Sequence, residues 1–353
     1  MSTTALIEAL NIQITACEAL GSPLCGGLLR AASQSIEMGG RAADLFEPWS
    51  QATTREHVSD ATALRLLGAL HELVLSGDAP DLAAHYPSPN DPGDAQAAWS
   101  VANAGLDQHF QRLAAFMAHE PQTNEVGRSA CLLLGFLEVA AQTGLPLRMV
   151  ELGASGGLNM TWDRYAYNLG GISFGPSASP LTLSPEWRGR PMTSRPWPNV
   201  VERLACDRRP LVLADAVMRR RLTAYLWPDQ FERMARLRAA IDLALEAKVY
   251  VEAVDAAIFA KDRAVPRDGV ATVLYHSVFW QYLPQETQAR LAQAIVTHGR
   301  AATPTAPFAW VRLEPDSRLG SRMEIRATIW PTGEDRLLGY SHPHGTWIET
   351  LGT

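Results

Sequence analysis

At 353 residues, 47% hydrophobic and 19% charged, the chain has the make-up of a globular protein with ample core, long enough for two domains. The net charge of -6 and the lack of a strongly basic half exclude the usual signature of a nucleic-acid binder, and no apolar run approaches the ~20 residues that span a bilayer. The opening MSTTALIEAL has neither a basic leader nor an unbroken apolar stretch, and Cys17, Cys25, Cys131 and Cys206 are scattered, so a cytoplasmic protein without disulfides is expected.

The first part reads as helices. Apolar residues three and four apart predict helices over 5–20 and 60–75, the second through Leu64, Leu67, Leu70, Leu73 and Val74. Gly77 suits a helix C-terminal cap, and 79–93, with four prolines, reads as a loop. Helices are expected again over 95–119 and 125–143, with Pro121 between them and Gly144 and Pro146 closing the second. No strand pattern occurs here, so an all-helical N-terminal domain is expected over 1–145.

The texture changes at Arg148. MVEL (149–152) is a short buried-strand pattern, followed by a Gly-rich turn and an amphipathic stretch over 158–167. Residues 170–199, rich in Gly, Pro and Ser, read as hairpins or an extended excursion. VVERLAC (200–206) runs as a strand into Asp207, and helices follow over 216–226 and 230–246. KVYVEAV (248–254), GVATVLYH (269–276) and PFAWVRLE (307–314) are further strands, with a helix over 284–298 between the last two. MEIRATIW (323–330) and RLLGYSH (336–342), joined through 331–335, carry a hairpin signature. This alternation predicts an α/β domain over 146–353, a doubly wound sheet with late antiparallel strands. The charge divides along the same line: 1–146 holds 6 basic and 16 acidic residues, the remainder 25 and 21. The division reflects coding bias or an acidic half that docks on a mildly basic one.

VELGASGGLN (150–159) carries the clearest chemical signal. A strand ends at Glu151 and Leu152, then Gly153, Ala154, Ser155, Gly156 and Gly157 make the turn, and Leu158 is expected to open a helix. Small residues let the backbone approach a ligand, and free amides at a helix start favour anionic or polar groups. The dinucleotide pattern G-x-G-x-x-G fails, because Ser155 and Leu158 stand where its second and third glycines belong. What remains resembles the first motif of S-adenosylmethionine-dependent methyltransferases, an acidic residue followed by G-x-G-x-G. Glu151, Gly153 and Gly157 match, and Ser155 replaces the central glycine. The resemblance implies that these residues and Gly156 hold the methionine end of the cofactor. A tight turn that only packs helix on sheet is the plainer alternative. The turn also spells G-x-S-x-G, with Ser155 as a hydrolase nucleophile and Asp207 or Asp255, then His276, His342 or His344, in suitable chain order. The helical chain before it lacks the earlier strands of that fold.

Asp207 ends its strand, as does the acid that binds ribose hydroxyls in many Rossmann-like folds, at more than twice the usual spacing of about 20 residues. The 170–199 excursion accounts for the gap; an ion pair with Arg203 or Arg208 is the competing account. His276, at a strand end near the expected switch point, is a candidate general base, with Trp280 or Tyr282 packing a substrate or adenine. A hydrogen-bonded core histidine is the alternative. Asn124, Glu125 and Arg128 form a polar patch opening a helix, capped by Thr123 or Asn124 or bordering the substrate. His342 and His344 lack a nearby carboxylate, so no metal site is expected. Arg219, Arg220 and Arg221 read as a solvated face.

GSPL (21–24), PQTNEVGRSA (121–130), VELGASGGLN with WDRYAY (162–167), LACDRRPL (204–211), YLWPDQFERMARLRAAI (225–241), HSVFWQYLP (276–284), WVRLEP (310–315) and HPHG (342–345) closely resemble, in order, a bacterial family known only as domain of unknown function 2332. That resemblance covers nearly the whole chain, implies that both halves belong to one unit, and carries no assigned reaction. The expected fold is a Rossmann-like, methyltransferase-type doubly wound sheet with a C-terminal antiparallel hairpin, preceded by an all-helical domain that could serve as a lid. The expected function is S-adenosylmethionine-dependent methyl transfer to a small molecule, without nucleic-acid or membrane partners. A non-catalytic binder of a nucleotide-like metabolite is the alternative.

Overall fold

Proline starts, polar caps and glycine ends set out the first helices. The computed structural model describes residues 3–316 and 322–351. It opens with α1 (Thr4–Ala19), α2 (Pro23–Glu37), a 3-10 segment (Arg41–Trp49), α3 (Thr54–Ser59), α4 (Thr62–Ser76), α5 (Pro80–Ala83), α6 (Ala95–Ala104) and α7 (Leu106–Met117). Pro23 begins α2, where its missing N–H has no helical partner to lose. Thr53 and Glu56 form a capping box on α3, and α4 ends on Gly77 in the left-handed conformation. The helix expected over 95–119 breaks at Gly105 into α6 and α7.

The chain divides into two compact units, Met1–Thr123 with Asp215–Ala235, and Asn124–Ala214 with Arg236–Thr353. The boundary therefore differs from the expected 145, and the reason lies in the returning segment, which carries α9 (Ala216–Ala224). Ala224, Tyr225 and Trp227 join the core built by Leu10, Leu29 and Leu70. The Asp229 carboxylate accepts hydrogen bonds from Ser22 Oγ (2.6 Å) and the Leu24 N–H (3.0 Å), capping α2. His71 Nδ1–H donates to the Leu226 carbonyl (2.9 Å). Arg220 is not on a solvated face: with Arg112 it pairs with the buried Glu72 (2.8 and 2.9 Å).

In the second unit α8 (Arg128–Thr143) is buried almost all round, as a helix must be when it lies within a core. It precedes β1 (Leu147–Leu152), β2 (Ala166–Leu169), β3 (Ile172–Phe174), β4 (Thr182–Leu183), β5 (Glu186–Gly189) and β6 (Val200–Asp207). After the returning segment come α10 (Phe231–Glu246), β7 (Glu252–Ala253), α11 (Ala256–Arg263), β8 (Ala271–Ser277), α12 (Gln285–Ala301), β9 (Phe308–Pro315), β10 (Met323–Trp330), β11 (Glu334–Ser341) and β12 (Trp347–Thr350). Among the described residues nine strands form one mixed sheet in the order β5-β12-β11-β10-β9-β8-β1-β6-β7, while β2, β3 and β4 make a small separate sheet. Strands β7, β6, β1, β8 and β9 are parallel. Strands β9 to β12 continue as an antiparallel meander that contains the expected hairpin, and β5 lies parallel to β12.

β1 is buried along its whole length because both faces are covered. Val150, Leu152, Leu274 and Phe308 pack with residues of α11 and α12. The alternate residues face α8, where Phe136 meets Tyr275 edge-on at 5.1 Å between ring centres. Two expected elements differ. The KVYVEAV strand shrinks to two residues, and Leu158–Arg164 is a 3-10 segment with a kink at Thr161, not the helix read over 158–167. Side chains take the carbonyls an α-helix would use: Tyr165 OH and Thr161 Oγ donate to the Leu158 carbonyl, and Tyr167 OH to that of Trp162.

Candidate functional site

The order of the parallel strands reverses at β1: β6 and β7 follow on one side, β8 and β9 on the other. Outside the carboxyl ends at such a point the loops part and leave a crevice, where open α/β sheets bind ligands. The strand ends bring together Asp207 on β6, Glu151 and the turn 153–157 on β1, His276 and Phe279 at and after β8, and Glu314 on β9.

The turn is tied down mainly from within. Asp207 Oδ2 accepts the Ser155 N–H (2.9 Å) and Oδ1 the Arg209 N–H (2.9 Å), while Arg203 pairs with Asp163. Ala154 N–H donates to the Cys206 carbonyl (3.0 Å). Asn124 Oδ1 accepts the Leu158 N–H (2.9 Å), so this side chain caps the 3-10 segment and not the start of α8, whose N-cap is Gly127. Ser155 adopts φ +53°, a left-handed conformation that costs a non-glycine residue energy. Its Oγ is buried and has no hydrogen-bond partner among the described residues, an omission that calls for a water or a ligand.

Glycine is required at 153 by close approach as well as by φ +64°, for a Cβ there would collide with the edge of the Phe279 ring. Gly156 and Gly157 are likewise closely packed, on Leu213 and Val249. Glu151 is 3% exposed and accepts a hydrogen bond from Tyr275 OH (3.1 Å). Burial pushes its pKa up to about 8, against the opposing Tyr275 hydrogen bond, so it is largely protonated at neutral pH.

His276 is fully buried, with both ring nitrogens engaged. Nδ1–H donates to Glu314 Oε1 (2.7 Å), and Nε2 accepts the Trp310 indole N–H (3.0 Å). Both nitrogens are thus taken up within the protein, the arrangement of the hydrogen-bonded core histidine that was the alternative to a general base. Trp280 stacks on the His276 ring at 5.8 Å, whereas Tyr282 is 69% exposed. Of the polar patch Asn124 reaches the Gly-rich turn. Glu125 Oε1 accepts the Gly127 N–H (3.2 Å), and Arg128 Nε–H donates to the Pro343 carbonyl (3.0 Å) in the HPHG turn. There His342 Nδ1 accepts the His344 N–H (3.0 Å), and Asp255 caps α11. Phe279, Tyr275, Trp310 and Glu314 escaped the sequence reading. Glu314 stands 38 residues from His276, and only the pairing of β8 with β9 brings them together.

Among the described residues no group of three or more His, Cys, Asp and Glu side chains could hold a metal, and no helix is long and apolar enough to cross a membrane. Comparison with curated proteins and with solved structures finds no match. The model of a family described as uncharacterised proteins conserved in bacteria, domain of unknown function 2332, matches residues 8–350, and the chain belongs to that family.

Proposed function

We propose that the chain binds a nucleotide-like metabolite at the carboxyl edge of its parallel strands, that this metabolite is S-adenosylmethionine, and that the site serves methyl transfer to a small molecule. The observation that carries the reading is the position of the turn 153–157. It leaves the strand at which the order reverses, with the Asp207 carboxylate ending the next strand and an orphaned Ser155 hydroxyl in the turn. The order β7-β6-β1-β8-β9 is also that of the first five strands of a Rossmann-like sheet. The 3-10 segment after the turn and the meander beyond β9 depart from the methyltransferase pattern expected from sequence.

The Asp207 carboxylate keeps acceptor capacity for ribose hydroxyls, and Ser155 Oγ can bond a polar group of the ligand. Gly153 meets a ligand only with the Phe279 ring displaced. When bound, S-adenosylmethionine supplies an electrophilic methyl group. The protein's part is to orient the two reactants and exclude water, with Trp280 as an apolar wall, and no proton transfer falls to His276. Binding without turnover is the second reading, favoured by that engaged histidine. A hydrolase reading has no hydrogen-bonded base to offer Ser155.

Calorimetry with S-adenosylmethionine and S-adenosylhomocysteine tests the site. Binding is expected, with stability rising by about 2.7 kcal/mol at a ligand concentration of roughly 100 times Kd. Failure of both compounds to bind the folded chain would remove the reading. Release of S-adenosylhomocysteine over time separates the enzyme from the sensor.

A further inference from the structure

The segment after β8 is held in an unfavourable conformation. Val278 has φ +51°, a region that β-branched residues seldom enter. Its N–H donates to the Leu313 carbonyl (2.8 Å), and the next two amides, of Phe279 (3.0 Å) and Trp280 (3.3 Å), both donate to Glu314 Oε1. That same oxygen accepts the His276 Nδ1–H, and the Trp310 N–H on Nε2 fixes the histidine's tautomer. One carboxylate thus gathers three donors, and the outcome is a Phe279 ring set directly on Gly153, in the turn that carries the orphaned Ser155 hydroxyl.

We propose that Phe279 is a plug on the Gly-rich turn, that Glu314 is its latch with His276 as positioning residue, and that a ligand on the turn and the Phe279 ring exclude one another. This rests on the ligand site proposed above. A hydrophobic ring over Gly153 occupies the space a ligand backbone contact needs, and the strain at Val278 is released when the ring swings out. The apparent Kd then equals the intrinsic value divided by the open fraction.

The test is titration of the full chain with S-adenosylhomocysteine by calorimetry. Phe279→Ala is expected to bind about tenfold or more tightly than wild type, the change for a plug closed roughly nine-tenths of the time. Glu314→Gln, which keeps the ring but weakens the latch, is expected to shift affinity the same way by a smaller factor. It serves alone if the alanine variant does not fold. Adding the ligand to wild type is expected to speed hydrogen exchange at the Phe279 and Trp280 amides, which lose their acceptor. Equal or weaker binding by the folded variants overturns the plug and leaves the site standing. Absence of binding by folded wild type and variants alike overturns both.

Discussion

Glu151 lies behind Tyr275 at the end of β1, and its burial raises the pKa from an ordinary 4.5 to about 8. Between those values the folded chain holds a proton that the unfolded chain has released. Its contribution to stability is therefore complete below pH 4.5 and is lost as pH rises through about 8. Glu151→Gln keeps the shape and removes the ionisation. Its melting temperature is expected to exceed that of wild type at pH 9 and not at pH 5; parallel scans at the two pH values check this, and equal curves would contradict it. Sequence reasoning singled out this residue as an acid that holds the cofactor, and an acid at a strand end looks the same whether ionised or buried. Burial decides between them, and it comes from elements that pack on β1 from elsewhere in the chain. Asp207 was legible as an acid ending a strand and Asn124 as part of a polar patch opening a helix, yet the amides they accept from lie 52 and 34 residues away in the chain.

At the scale of elements, the strands covered on both faces were readable as apolar runs, and the β10–β11 hairpin as two alternating stretches around a turn. The 3-10 segment was not, since its cause is two tyrosine hydroxyls arriving from beyond its end. Strands β5 and β12, four residues each, are too short to show a period. α8 reads as an ordinary helix, and periodicity does not reveal that its partners are β8, β9 and β10. The fit of Phe279 on Gly153 gives the turn a measurable stiffness. Gly153→Ala drives a methyl group against the edge of that ring and strains a left-handed backbone. It is expected to cost about 1–3 kcal/mol, visible as a lower urea midpoint at unchanged m-value. Paired with Phe279→Ala it is expected to lose less than the sum of the two single changes, because the collision is gone.

For the molecule as a whole, the helical unit is not a continuous piece of chain. Its core includes Ala224, Tyr225 and Trp227, and Asp229 caps α2. A fragment of residues 1–145 lacks all four and carries α8 without its sheet. It is expected to show helical circular dichroism without a cooperative thermal transition, and a sharp transition would restore a boundary at 145. The junctions follow from packing between distant segments, which periodicity within one segment does not record. The far edge of the large sheet carries a consequence in time. Glu186 of β5 pairs with Trp347 of β12, although β5 follows β1 closely in the chain. During synthesis β5 emerges long before the strand it must pair with. It waits unpaired while the parallel strands assemble, and a late, long-range closure of this kind slows folding and leaves an edge exposed to other chains in the interval.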